Sequence, residues 1–412
     1  MLNTKEGTET PVSATIVPAL DQVPLSLPLI PQQSHQLSEL LSYYLSRTAN
    51  SMGNGSTAVN PFISKLIPLA FDNPFIMQLI LAQSAAHREE ELQDYSAQAV
   101  AQQYYTKSLR LFSQEIDAHF GESRGGTLLL AFGSLIMSLT EIARGEIHGF
   151  VFDHLGAAAF LVSKSVSDAQ HDTNNSLFDF LVEYYIHMTA TSMLSMDVQY
   201  GSQPFFKPSI RQAAETLVTK NYIGQLCGAW LEILLLIPRI FQLGQRMRKK
   251  PVHPETLITF GCYQSQIQAF LPSLSASASA ITAGLVFKQA GLLYLWTILS
   301  NPLKPSADDT FSDLIRGAVN TAFTQLGHLS ATERVNTSLC WPITIIGCCT
   351  ADPAIRSQLR ERLHIMSRTI GLGNMKRTVA LLECVWKGES EDISPWTLYK
   401  SMQEHQIWIS LA

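Results

Sequence analysis

The sequence predicts an all-α protein, an irregular bundle of roughly fifteen helices in a single large domain, and three observations support it. Apolar residues recur with the helical period in most segments. Strand signals are nearly absent, with no Asn-Gly hairpin and no sustained alternation of apolar and polar residues. Hydrophobic residues make up 46% of the chain and charged residues only 15%, so much of each helix should face other helices.

Length and charge exclude some classes of protein. The 412 residues carry a net charge of −5, which argues against a surface devoted to nucleic acid. The stretch Leu226–Leu236 is too short to span a membrane, and no secretory signal opens the chain. The cysteines lie in or near apolar helical patterns and are expected to be buried reduced thiols in a soluble intracellular protein; they are Cys227, Cys262, Cys340, Cys348, Cys349 and Cys384.

The first half of the chain predicts a tail followed by helices. Residues 1–34 are punctuated by prolines without helical periodicity, which predicts a disordered tail before a helical domain at 35–412. Asn73 before Pro74 is expected to cap a helix that runs to His87. Further helices are expected at about 38–48, from Asn60, at 94–119 and at 127–143, with a loop at 51–57.

The second half predicts more helices, at about 177–196, 231–244, 254–270, 278–299 and 310–328, with an irregular crossover at 200–208. Residues 340–387 organise the chain, because strong start and stop signals divide them into three helices. The helix before Asp352 is apolar all round and should be buried, and Asp352 with Pro353 starts the next. Gly371 and Gly373 end that helix, and Asn374 is expected to cap the last.

Several ordered motifs carry a resemblance to a known family. They are Asn60-Pro61-Phe62, Pro68-Leu69-Ala70-Phe71, Ala85-Ala86-His87, Gly145-Glu146, Gly149-Phe150, His154 to Ala158, Leu226-Cys227-Gly228, Trp341-Pro342, Gly347-Cys348, Asp352-Pro353, Gly371-Leu372-Gly373-Asn374 and Val385-Trp386. In this order they resemble the fungal-specific transcription factor domain, the helical C-terminal region of fungal zinc-cluster regulators. The resemblance covers roughly residues 37–400.

The resemblance implies a non-enzymatic transcription regulator in the nucleus that controls a secondary-metabolite or other metabolic gene set. Regulators of this kind begin with six clustered cysteines that bind zinc, whereas the first cysteine here is Cys227. The chain is therefore expected to act as an effector half without direct DNA binding. A truncated form of a longer zinc-cluster factor would equally explain why no clustered cysteines precede Cys227. The partners implied are other regulators or coactivators, a sterol- or lipid-like ligand as in sterol uptake control proteins, and a second copy of the chain, with no membrane.

Two groups of residues are candidate sites, neither of them catalytic. Glu232 interrupts an apolar helix and should need a partner if it is buried, and Arg239 lies two turns further on the same face. This pair is expected to form an internal ion pair or a polar handle for a ligand. The basic run Arg246, Arg248, Lys249 and Lys250 is either a nuclear import signal or a solvated helix end.

The alternative class is a helical enzyme acting on a small apolar molecule. Asp308, Asp309 and Asp313 resemble the magnesium-binding aspartates of terpene cyclases, but their spacing is off by one residue and the second metal motif of such enzymes is not found; a solvated helix start is the expected explanation. His87 and His154 could act as paired bases, yet interface histidines are expected. Adjacent Cys348 and Cys349 point about 100° apart on a helix and favour core packing. We therefore predict no cofactor and no metal site.

Overall fold

Helices form the regular secondary structure of residues 35–122, 126–168, 175–195, 206–249, 253–300, 311–387 and 394–412, the part of the chain that this computed structural model describes. Within these residues no strand occurs, and two isolated bridges pair His148 with Trp408 and Gly224 with Gly228. The all-α prediction is confirmed. The predicted tail at 1–34 and most of the predicted crossover at 200–208 lie outside the described residues.

The described helices number sixteen when segments of seven or more residues are counted, close to the prediction. In the first half they are α1 (His35–Tyr43, continued by a π-helical turn at Tyr44–Thr48), α2 (Ala49–Ser51), α3 (Pro61–Ser64), α4 (Leu66–Asp72), α5 (Pro74–Leu92), α6 (Tyr95–Glu122), α7 (Thr127–Arg144), α8 (Phe150–Asp168) and α9 (Ser176–Thr191). In the second half they are α10 (Pro208–Thr219), α11 (Leu231–Lys249), α12 (Pro254–Ala269), α13 (Ala278–Trp296), α14 (Ser312–Gly327), α15 (Cys340–Cys348), α16 (Pro353–Ile370), α17 (Gly373–Lys387) and α18 (Leu398–His405), with a 3₁₀ turn at Arg334–Ser338.

The predicted helix starts at Asn73 and Asp352 are confirmed in atomic detail. The Asn73 side chain accepts hydrogen bonds from the backbone N–H groups of Phe75 and Ile76, and Asp352 accepts one from Ala354. A proline follows each cap, where its missing N–H would have had no helical partner.

The core is a single cluster of buried apolar residues that extends from Leu37 to Ala412. Helix α5 packs against α6 and α7, and α7 packs against α8. Gly133 of α7 lets Phe75 of α5 lie close, since an added Cβ would sit 2.6 Å from the end of that ring. The fully buried helix predicted before Asp352 is α15, in which every residue is buried.

Helices α7 and α13 are long and apolar enough to cross a membrane by length and composition. In this fold, 83% of the apolar stretch of α7 and 61% of that of α13 are buried inside the protein. Core helices of a globular protein show the same composition, so these two helices are weak evidence for a membrane span.

A continuous row of aromatic rings runs through the second half of the core. Trp230 stacks on Phe287, Phe287 on Trp341, and Tyr294 meets Trp341 edge to face. On its other face Tyr294 stacks on Trp396, with ring centroids 4.5 Å apart. This aromatic row ties the residue before α11 to α13, α15 and the segment before α18, because offset and edge contacts between rings add to their burial.

Helix α11 continues through Pro238, in agreement with the helix predicted at 231–244; flanking Ile237 and Ile240 are buried, and that burial outweighs the lost backbone hydrogen bond. Two other helices were missed by the sequence prediction. No helix was predicted at α10 or at α18. Each is short, and its apolar stripe is brief, which makes the period hard to detect.

Candidate functional site

A backbone contact joins the end of α7 to the start of α17. Gly145 ends α7 in the left-handed conformation, with φ of 62°. An added Cβ on Gly373 would lie 2.4 Å from the Gly145 nitrogen, and one on Gly145 would lie 2.9 Å from the Gly373 carbonyl carbon. The Arg377 side chain donates to the Gly145 carbonyl oxygen at 3.1 Å. Both positions therefore require glycine, and we call this contact and its neighbours the glycine junction.

His87 fastens the same junction from α5. Its Nε2 lies 2.9 Å from the carbonyl oxygen of Ile370, which can only accept, so Nε2 carries the proton. Nδ1 then accepts from the Thr48 hydroxyl at 3.2 Å. Burial lowers the pKa of His87, consistent with this neutral form. Gly371, with φ of 83°, leaves the space that the imidazole occupies.

The last residues of the chain complete the glycine junction. Asn374 was predicted to cap α17, and this is wrong: α17 begins at Gly373, and the Asn374 amide donates to the carbonyl oxygen of Ala412 at 2.6 Å. The backbone N–H of Trp408 donates to the Ile147 carbonyl oxygen at 2.8 Å. Asn374 thus holds the chain end instead of its own helix.

Glu146, beside the glycine junction, gives a structural reason for the spacing between the motifs Gly145-Glu146 and Gly149-Phe150. Its carboxylate accepts from the backbone N–H groups of Gly149 at 2.9 Å and Phe150 at 3.0 Å, and so caps α8. Burial raises the pKa of Glu146, and these N–H groups oppose that shift. An acid three to four residues before a helix start satisfies N–H groups that have no helical partner.

Glu141, one turn before the end of α7, is the buried acid that faces His154. Its carboxylate lies 3.7 Å from His154 Nε2 and 3.7 Å from Arg144 Nη1, and it accepts from the Tyr105 hydroxyl. Arg144 also lies over the Tyr105 ring, 4.4 Å from its centroid. His154 is thus an interface histidine, as predicted for it and for His87.

A second buried acid, Glu183 of α9, holds a turn at residues 222–228. Its Oε1 accepts from the backbone N–H groups of Leu226 at 2.5 Å and Cys227 at 2.9 Å, and its Oε2 accepts from the Tyr222 hydroxyl at 2.8 Å. A Cβ on Gly224 would lie 2.0 Å from Oε1, so the turn closes on the carboxylate only with glycine there. We call this arrangement the acidic turn.

Burial controls the ionisation of the acidic turn. It raises the pKa of Glu183, while the two backbone N–H groups and Tyr222 oppose the rise. Burial, and then the nearby Glu183, also raises the pKa of the Cys227 thiol well above its ordinary value. Cys227 is therefore a packing residue with little thiolate character.

The predicted loop at 51–57 reaches the acidic turn from the other end of the sequence. Asn54 donates its backbone N–H to the Gln225 carbonyl oxygen at 2.8 Å and its amide to the Leu226 carbonyl oxygen at 3.1 Å. The Ser338 hydroxyl donates to the same Leu226 oxygen at 3.1 Å. Three distant segments therefore meet at one turn, which periodicity does not reveal because it reports only local spacing.

The candidate pair Glu232 and Arg239 is not an internal ion pair. Glu232 is exposed, although partial burial still raises its pKa, and Arg239 Nη2 lies 3.6 Å from Glu215 of α10. Residues seven apart share a helix face but stand about 10 Å apart along the axis, so a neighbouring helix supplies the nearer acid. The predicted burial and pairing are wrong; a ligand contact at Glu232 stays a prediction.

The basic run falls at the end of α11. Arg246 is exposed, and Arg248 and Lys249 belong to the last helical turn, while Lys250 lies outside the described residues. The import signal stays a prediction.

The described residues add little to the enzyme alternative. Asp308 and Asp309 lie outside them, and Asp313 in the first turn of α14 is exposed and pairs with Arg316 at 2.6 Å. No group of three metal-binding side chains occurs in the part of the chain described. Cys348 and Cys349 are buried as predicted, and burial raises the pKa of Cys348 to about 12. The expectation that every cysteine is buried is wrong for Cys262, which is exposed on α12.

An open groove of about 500 Å³ lies between α1 and α5. Polar and charged side chains line it, among them His35, Glu39, Tyr43 and Arg88. Arg88 and Glu39 form an ion pair of 3.6 Å across it. Its openness and charge suit water better than an apolar molecule.

Comparison with known proteins matches residues 39–412 to the model of one family, the fungal-specific transcription factor domain. The matched region contains both the glycine junction and the acidic turn. No curated protein and no solved structure matches the chain.

The glycine junction predicts a large cost for one added methyl group. Gly373→Ala should lower the free energy of unfolding by at least about 2 kcal/mol, because the new Cβ meets backbone that cannot rotate away. Gly317→Ala in α14 is the matched control, since a Cβ there has no atom within 4 Å. It should be neutral or stabilise by about 0.5–1 kcal/mol in chemical denaturation. Equal effects of the two changes would contradict the contact.

The acidic turn predicts a pH dependence of stability. A carboxyl whose pKa is raised on folding binds its proton more tightly in the folded state, so stability falls as pH rises above the ordinary value of 4.5. Glu183→Gln keeps an acceptor for the two N–H groups and removes the titration. The difference in melting temperature, variant minus wild type, should therefore grow between pH 5 and pH 8. A difference that is constant with pH would rule out a raised pKa at Glu183.

Proposed function

Because this chain belongs to the fungal-specific transcription factor domain family, we propose that it is a regulatory domain that controls transcription through protein partners. The single observation that carries the proposal is the family match over residues 39–412. The partners proposed are DNA-bound regulators or coactivators, the gene set is metabolic or secondary-metabolic, and the site of action is the nucleus.

The structure supports a docking role through its rigidity. The glycine junction and the acidic turn each join segments far apart in sequence by buried hydrogen bonds. Buried networks of this kind hold one arrangement of the helices. A rigid helical body keeps its outer faces in fixed relation, so a partner can bind without ordering it. His87 at the glycine junction and Glu183 in the acidic turn are engaged in hydrogen bonds, and Cys227 is engaged in packing. This favours docking over catalysis.

Direct DNA contact is not part of the proposal. The net charge is −5, and the basic run at the end of α11 is short. Affinity for the phosphate backbone requires several clustered Lys and Arg residues. A salt-sensitive gel shift with the purified chain would contradict this point.

The proposal predicts that the chain regulates a promoter to which it is tethered. Fusion to a foreign DNA-binding domain should change reporter expression relative to that domain alone, since the chain would bring its partners. The Gly373→Ala variant should weaken the effect in proportion to the folded protein it loses, and Gly317→Ala should keep it. A silent fusion under all growth conditions, with the protein folded and present in the nucleus, would contradict the proposal. Purified chain that converts a substrate without partners would favour the enzyme class instead.

A sterol- or lipid-like ligand is the second part of the proposal. What supports it is the aromatic row, where the indole N–H groups of Trp230 and Trp341 are buried without an acceptor among the described residues. Such unpaired buried donors are uncommon, and a hydroxyl or carbonyl of a mainly apolar molecule would satisfy either of them.

The ligand part predicts stabilisation by an added sterol. At a free sterol concentration 100 times its Kd, the free energy of unfolding should rise by about 2.7 kcal/mol. Trp341→Phe removes one donor while keeping an aromatic ring and should weaken this effect in thermal unfolding. A sterol that changes neither protein would exclude this ligand.

A further inference from the structure

Helices α16 and α17 form a basic pair in an acidic chain. Residues 353–387 contain seven Lys and Arg against two Asp and Glu, a net charge of +5. The whole chain carries −5, so the other residues together carry −10. Charges of one sign on neighbouring helices create a local field that differs from that of the rest of the surface. The pair therefore attracts acidic molecules that the chain as a whole repels.

Four of the seven cations have partners away from the start of α16. Arg362 donates to two backbone carbonyl oxygens at and just beyond the end of α14, at 2.5 and 2.6 Å, and Arg377 donates to the glycine junction. Lys376 pairs with an acid of α5 at 2.5 Å, and Arg368 pairs with an acid of α16 at 3.7 Å. The cations that remain lie near Trp386, where α16 begins and α17 ends; they are Arg356, Arg360 and Lys387.

Two of these cations pack on the Trp386 ring. The guanidinium carbons of Arg356 and Arg360 lie 5.6 and 5.5 Å from the ring centroid, within reach of cation–π attraction. The indole N–H donates to the Gly347 carbonyl oxygen at 3.0 Å, which fixes the ring. Trp386 is half-buried, so part of its surface still meets solvent. We call the surface formed by Trp386, Arg356, Arg360 and Lys387 the Trp386 face.

The Trp386 face has three cations that share one carboxylate. Glu383 accepts from Arg360 with Oε1, and its Oε2 lies 3.1 Å from Lys387 Nζ. Arg356 Nε donates to the Thr350 carbonyl oxygen at 2.9 Å, whereas its two terminal nitrogens have no acceptor among the described residues. Burial lowers the pKa of Arg356, because the surrounding atoms replace part of its water. A cation that has lost water and lacks an anion gains from a carboxylate that reaches it.

We propose that the Trp386 face binds an acidic segment of a partner protein, with one carboxylate on Arg356, a second near Lys387 and an apolar side chain against Trp386. The two free terminal nitrogens of Arg356 offer a fork that fits a carboxylate. The exposed part of the indole supplies apolar surface beside the charges, as contact sites of proteins often do. Docking to protein partners is the proposed function, on which this surface rests, and the surface adds the chemistry of the partner.

Acids within the basic pair favour a peptide over a nucleic acid. Glu383 lies between Arg360 and Lys387, and Glu361 is exposed on α16. A nucleic-acid strand carries a phosphate about every 3.4 Å and cannot leave out those that meet these acids. A peptide places its carboxylates singly and can put a neutral residue opposite Glu383. The charge of −10 on the other residues also repels a long polyanion more than a short segment.

Fluorescence anisotropy of a labelled peptide mixed with the full chain tests the proposal. The probe is a synthetic peptide in which Asp and Glu alternate with Leu and Phe, and the reference peptide has Asn and Gln in place of the acids. We expect a dissociation constant on the order of 10–100 μM for the acidic peptide, since partly exposed ion pairs contribute modestly. The amide peptide should bind at least about tenfold more weakly, and added salt should weaken only the acidic peptide.

Two variants that remove a cation should weaken binding. Arg356→Gln and Lys387→Gln should each raise the dissociation constant at least about threefold. The Lys387 side chain is 77% exposed, so its replacement leaves the fold intact. Arg316→Gln is the matched control, because it removes an exposed, ion-paired arginine of α14 outside the Trp386 face. It should change the dissociation constant by less than about twofold.

One variant should act in the opposite direction. Glu383→Gln releases Arg360 and Lys387 from their shared acid and should lower the dissociation constant at least about threefold. Asp313→Asn makes the same change of charge on an exposed residue of α14 and should have less than about a twofold effect. Opposite effects on one surface separate local contact from a general effect of net charge.

Several results would overturn the proposal. They are no binding of the acidic peptide up to about 1 mM, equal binding of the amide peptide, and a dissociation constant that Arg356→Gln and Lys387→Gln leave unchanged. A DNA duplex that displaces the peptide, and whose own binding both variants weaken, would assign the face to nucleic acid instead.

The chain's own acids are a competing occupant, since Glu389, Glu391 and Asp392 follow the Trp386 face in the sequence. The chain with Glu389→Gln, Glu391→Gln and Asp392→Asn should bind the peptide at least as well as wild type. Peptide binding that occurs only in this variant would give the face to these acids and contradict the proposal. An active reporter fusion of a chain that binds no acidic peptide would place docking elsewhere and leave the proposed function standing.

Discussion

The approach of Gly145 to Gly373 is the constraint on which the rest of the architecture depends. Backbone atoms of two helix ends touch there, more than two hundred residues apart in sequence, and a methyl group on either would separate them. His87 reaches the same place from α5, and Asn374 fixes the chain end to it. The first half of the chain and its closing helices are therefore one packed unit at this point, and the position of α16 and α17 follows from it.

The acidic turn plays the corresponding role on α9. A carboxylate buried without a cation is costly, and Glu183 offsets that cost with two backbone N–H groups and a tyrosine hydroxyl. The same geometry gives the carboxylate a raised pKa, because the hydrogen bonds only partly replace water. Polar groups at the glycine junction and in the acidic turn thus stabilise the fold.

Surface chemistry separates the proposed activities. The groove between α1 and α5 is lined by charges and suits water or a polar segment, while residues 256–287 carry no charged side chain. Surfaces of different charge suit partners of different character, since specificity comes from charge pattern as much as from area.

The sequence alone determined the helical class, most helix bounds, the caps at Asn73 and Asp352, and the family, because each depends on residues close together in the chain. It also gave His87 and His154 their place at helix interfaces. It failed for Asn374, whose amide bonds the chain end rather than its own helix, and for Glu232 with Arg239, where α10 supplied the nearer acid. The meeting of Asn54, Ser338 and the acidic turn, and the contact of Arg356 with Trp386, were decided only by the tertiary structure. The physical reason is that helical period fixes which side of a helix a residue occupies, whereas the element that covers that side depends on how all the helices pack.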